Sequence, residues 1–75
     1  MAFESTNDWK VKIVKRAVND EHSYWILADL YKGENYRASV RWMVGNEEDE
    51  ADDSVVARKW DAINEAKTMW LEENA

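Results

Sequence analysis

The sequence predicts an α+β domain: a three-stranded antiparallel meander with one C-terminal helix packed on one face (βββα). Two stretches alternate apolar and polar residues at the two-residue period of a strand, and an apolar run of strand length lies between them. The last third repeats its apolar residues at the 3.6-residue period of a helix, and short polar or glycine-containing segments separate the elements. Seventy-five residues hold one domain with one small core, and neither proline nor an internal repeat interrupts it.

Residues 1–7 carry no period and are expected to fray. The first strand, 9–18, opens "WKVKIVKR", with Trp9, Val11 and Ile13 on one face and Lys10, Lys12, Val14 and Arg16 on the other. After the turn formers of "VNDEHS", the second strand, 24–32, reads "YWILADLY", apolar on both faces as a central strand should be. "KGEN" is a hairpin turn of about four residues. The third strand, 36–44, alternates Tyr36, Ala38, Val40, Trp42 and Val44 with Arg37, Ser39, Arg41 and Met43. An acidic loop, 46–53, leads to the helix, 54–73, whose stripe is Val56, Trp60, Ile63 and Trp70, with Val55, Ala66 and Met69 at its margin. Ser54 or Asp53 is expected to cap the first turn, and the acids before it suit the positive helix end.

A helix buries one stripe, so it covers one sheet face and leaves the other open. Regular alternation places Trp9, Val11, Ile13, Ile26, Ala28, Leu30 and the Tyr36 to Val44 set under the helix. The open face then shows Lys10, Lys12, Arg16, Arg37 and Arg41 among Val14, Trp25, Leu27, Tyr31 and Met43, with Asp29 as its one acid. A one-residue bulge would change that membership.

Five Trp, three Tyr and one Phe supply the apolar area that a small core without disulfides needs. The absence of Cys removes disulfide frameworks, thiolate catalysis and cysteine zinc sites, and suits a reducing cytoplasm. No apolar run approaches the roughly 20 residues of a membrane span. "MAFESTNDWK" lacks the basic start and apolar stretch of a signal peptide, so a cytoplasmic location without membrane attachment is expected. His22 is the one histidine and sits in a polar turn. The serines lack a readable His and carboxylate arrangement, and two glycines cannot form a phosphate loop, so neither an enzyme nor a cofactor is expected.

The net charge of −6 is unevenly spread: residues 1–45 hold seven Lys/Arg against six Asp/Glu, and residues 46–75 hold three against ten. Within "NEEDEADDS" stand Glu47, Glu48, Asp49, Glu50, Asp52 and Asp53. A calcium loop would need ligands at alternate positions around a glycine turn, and Ala51 breaks that pattern, so no metal site is expected. These acids, continued by Asp61 and Glu65 and then by Glu72 and Glu73, can instead stand in for phosphates before the basic groove of a protein partner. The open face offers an alternative binding surface, Lys10, Lys12, Arg16, Trp25, Tyr31, Arg37 and Arg41, with the residue types for direct nucleic-acid contact or for a homodimer.

Two resemblances accompany these readings. "NYRASVRWMVG" followed by "NEAKTMWLEE" resembles the third strand and closing helix of the βββα DNA-binding domains of integrase arm-binding modules and plant ethylene-response-type factors. That likeness implies a sheet laid in a DNA groove. The compact, acidic, Trp-rich profile without Cys or Pro is similar to that of inhibitor proteins encoded by phages and mobile elements, the anti-CRISPR and anti-restriction proteins among them. It implies a nucleic-acid mimic acting in a host cell's cytoplasm.

Overall fold

The computed structural model describes residues 4–6 and 9–73, the first three by backbone alone. The chain forms β1 (Glu4–Thr6), β2 (Trp9–Asp20), β3 (Ser23–Lys32), β4 (Asn35–Gly45) and α1 (Asp53–Glu73). The strands make one antiparallel sheet in the order β1-β2-β3-β4, and α1 lies over β4 on one face. This is the expected meander and C-terminal helix, with one short strand added. Glu4–Thr6 pairs with Trp9 to Val11 along the edge of β2, where fraying was expected; a three-residue strand is too short to show a period. Residues 1–3 and 7 of the segment expected to fray lie outside the described residues.

Local chemistry places the turns. The Asp20 carboxylate accepts from the His22 amide at 2.8 Å and the Ser23 hydroxyl at 2.9 Å, closing the β2–β3 turn; these bonds hold its pKa below the usual carboxylate range. Lys32 pairs with Asn35, so the β3–β4 loop is the two residues Gly33 and Glu34 rather than four, and Gly33 takes φ 62°, which favours glycine. Asp52 opens the helix, its carbonyl accepting from the Val56 amide at 2.9 Å. The cap was expected at Ser54 or Asp53, but the Ser54 hydroxyl donates to Glu48 at 3.2 Å.

The core lies between the sheet and α1: Trp9, Val11, Ile26, Ala28, Leu30, Val40, Trp42 and Val44 from the strands, and Val55 and Ile63 from the helix. Trp60, Ala66 and Trp70 pack against it, and Trp70 meets Trp9 edge to face at 5.5 Å. Val55, expected at the stripe's margin, is fully buried, whereas Met69 is exposed.

Two bulges correct the expected faces. Ile13 pairs with Ala28 but Lys15 pairs with Leu27, so Val14 is extra and Lys15 to Val18 change side. Arg16 therefore stands opposite Ile26 on the helix side, and Lys15 joins the open face. Leu30 pairs with Ala38 but Tyr31 with Tyr36, so Arg37 is extra. Tyr36 moves to the open face, 54% exposed, and the Arg37 guanidinium lies 4.9 Å from the centre of the Trp70 ring on the helix side. Ile13 keeps its helix-side register but is 40% exposed, because α1 lies over β4 and not over the middle of β2.

Candidate functional site

The acids of the β4–α1 connection divide into two groups. Glu48 accepts from both terminal nitrogens of Arg58 at 2.9 Å, from the Gly45 amide at 2.8 Å and from Ser54. Glu50 accepts from Arg16 at 2.6 and 2.8 Å and from the Tyr24 hydroxyl at 2.6 Å. Both are two-pronged guanidinium pairs. The Arg58 bonds pull the Glu48 pKa down to about 2, and the Arg16 and Tyr24 bonds do the same for Glu50. Asp49 and Asp52 shape the loop: Asp49 accepts from the Ala51 amide at 2.8 Å, and Asp52 from the Asp49 amide at 3.0 Å.

The remaining acids point outward from the helix. Asp61, Glu65 and Glu72 are exposed and fall within about 40° of one another around the helix, on the side away from the core. Asp53 and Glu73 are exposed at the two ends of the helix, and Glu47 is exposed in the loop. All three cations of this acidic half are turned inward. Arg58 donates to Glu48 and to the Met43 carbonyl, Lys59 lies 5.1 Å from the Trp60 ring, and Lys67 lies 5.8 Å from the Trp9 ring. The outer ridge is therefore negative along its length, with no cation interleaved.

The open face is built in rows of paired residues. Lys10, Tyr31 and Tyr36 form the first row; Lys12, Asp29 and Ser39 the second; Lys15, Leu27 and Arg41 the third; Ala17, Trp25 and Met43 the fourth. Of the expected residues, Lys10, Lys12, Trp25, Tyr31 and Arg41 are together here, and Arg16 and Arg37 are not. The Arg41 guanidinium stacks 4.7 Å from the Trp25 ring centre, whose indole N–H donates to Asn19 at 2.9 Å. Tyr31 and Tyr36 meet edge to face at 6.1 Å. Sequence reasoning missed Lys15 and Tyr36, since strict alternation puts both on the other side. A cavity of about 260 Å³ opens at the centre, lined by Val14, Lys15, Leu27, Asp29, Ser39 and Arg41 among others.

No helix of the described residues is long and apolar enough to cross a membrane. Comparison of the chain with protein-family models, with known proteins and with solved structures finds no match.

Proposed function

We propose that this chain is a non-enzymatic binding protein whose acidic ridge docks in a basic, nucleic-acid-holding groove of a partner protein and excludes the nucleic acid from it. The observation that carries this reading is the segregation of charge on α1: Asp61, Glu65 and Glu72 stand outward while Arg58, Lys59 and Lys67 are held inward by Glu48 and by tryptophan rings. Helical rise spaces the outward carboxylates about 6 and 10 Å apart along a stiff rod, a repeated negative pattern that a groove lined with Arg and Lys would bind with release of counterions. Glu47, Asp52 and Asp53 extend the pattern into the loop, whereas Glu48 and Glu50 hold that loop in shape. The working surface is thus the ridge more than the loop. A phage or mobile-element inhibitor of a bacterial nucleic-acid-binding protein has this profile.

The test is affinity capture from a bacterial lysate at about 50 mM and about 200 mM salt, where counterion release separates electrostatic docking from apolar docking. The control chain carries Asp61→Lys, Glu65→Lys and Glu72→Lys. A partner retained only at low salt, lost to the variant and displaced from its own nucleic acid by the native chain is expected. Equal capture by the two chains overturns the proposal.

A further inference from the structure

We infer that the open sheet face is a second site, which takes single-stranded nucleic acid and seats one unstacked base in the central cavity. It lies on the other side of the sheet from the ridge and does not depend on the ridge's function.

Charge complementarity and shape both point to this occupant. The paired rows of β2, β3 and β4 on this face carry Lys10, Lys12, Lys15 and Arg41 against one acid, Asp29, in a chain whose net charge is −6. Strand rise sets successive open-face lysines of β2 about 7 Å apart, a ladder along one margin that can follow a phosphate backbone. The aromatic residues stand on β3 and β4 beside it, where bases hung from that backbone would fall. The ridge does not cancel this field. Sheet-to-helix packing and the helix radius put it roughly 15 Å from the sheet plane, beyond the Debye length of about 8 Å at physiological salt.

The cavity makes the inference specific. Its volume of about 260 Å³ lies below the roughly 300–1,000 Å³ of sites that enclose a whole small molecule, which suits one flat ring. Leu27 is the apolar floor. Lys15 and Arg41 stand at either end of its row, about 10 Å apart between backbones. The Arg41 guanidinium is stacked on the Trp25 ring of the next row, so this end of the row is partly ordered before anything binds. Asp29, with the Ser39 hydroxyl 3.5 Å away, is the polar group at the edge. A carboxylate repels phosphate but accepts from an exocyclic amine, so Asp29 belongs to base reading and favours cytosine over thymine.

The experiment is fluorescence anisotropy with labelled oligo(dC), oligo(dT) and a duplex, each about 12 nucleotides, within the roughly 4–16 that such faces engage. Oligo(dC) is expected to bind about tenfold tighter than oligo(dT), and both tighter than duplex. Three phosphate contacts, from Lys12, Lys15 and Arg41, would weaken binding about 20-fold between about 50 and about 200 mM salt. Lys15→Ala with Arg41→Ala should cost tenfold or more for both strands. Asp29→Ala should erase the cytosine preference while leaving oligo(dT) binding as strong or stronger, an outcome that misfolding cannot imitate. No complex at low salt, duplex bound as well as single strand, or sedimentation showing a second copy covering the face would each overturn the inference. The ridge neutralised by Asp61→Asn, Glu65→Gln and Glu72→Gln, which adds no phosphate-binding group, serves as a control here and should bind oligo(dC) like the native chain, so failure of one site is distinguishable from failure of the other.

Discussion

The two faces of the sheet are made by the same three long strands, residue by alternate residue, yet only one of them is a core. On the covered face Ile26, Ala28, Leu30, Val40, Trp42 and Val44 meet α1 and are buried. On the open face their immediate neighbours Trp25, Leu27, Asp29 and Tyr31 are half-buried, sheltered by each other and by long cationic side chains. Alternation alone cannot produce this contrast, since β3 is apolar on both sides. The helix decides it, and two bulged residues, Val14 and Arg37, decide which side chains fall on which face.

The largest expected break in that contrast is a pair of matched truncations. Leu30 is fully buried, and Leu30→Ala should cost about 2–5 kcal/mol, a large share of the roughly 4–11 kcal/mol a domain of 75 residues has. Leu27→Ala, three residues away on the opposite face, should cost less than about 1 kcal/mol, because that side chain is already partly in water. Urea titration of the two variants measures the difference. Equal losses would mean that the open face is part of the folding core rather than a surface available to ligands.

Element types and their order were readable because hydrophobic period is a local property. The three long strands and the helix fall within two residues of their expected ends. Lys10, Lys12, Trp25, Tyr31 and Arg41 could likewise be placed on the open face, and Asp61 and Glu65 on the outer helix, by counting twos and 3.6s. The bulges were not readable: one inserted residue costs little and leaves no compositional mark, yet it reverses every side chain beyond it. Arg16 and Arg37 were misplaced for that reason. Nor could the sequence distinguish the acids of "NEEDEADDS". Glu50 meets Arg16 across 34 positions and Glu48 meets Arg58 across 10, and such pairs exist only once the fold has formed.

A smaller effect should appear on titration. The Val14 bulge brings Arg16 to the covered side, where it holds Glu50, and Arg58 holds Glu48; both carboxyls are lowered from 4.5 to about 2 in the folded chain. A carboxyl that titrates lower when folded adds stability that is complete above its unfolded value and fades as pH falls. The native chain should therefore lose urea resistance as pH drops from 4.5 toward 2. Glu48→Gln with Glu50→Gln should start weaker at neutral pH and lose less over that window, while its oligo(dC) binding stays native. The same acid slope in both chains would show that these pairs do not anchor the loop.

The smallest effect should have the opposite sign, and it bears most on function. Asp61 and Glu65 are like charges one helical turn apart, a spacing that destabilises a helix by about 0.2–0.5 kcal/mol. Glu72 and Glu73 stand in the last turn of α1, where no basic residue is present and the negative end of the helix dipole opposes them. A helix arranged for stability would carry Lys or Arg at these positions. Asp61→Asn, Glu65→Gln and Glu72→Gln together should therefore raise the melting temperature slightly while abolishing capture of the partner. Charges retained against local stability are expected at a working surface, where binding sets the residue type. If neutralising them instead lowers the melting temperature, the ridge is part of what holds the fold, and its acidity needs no partner to explain it.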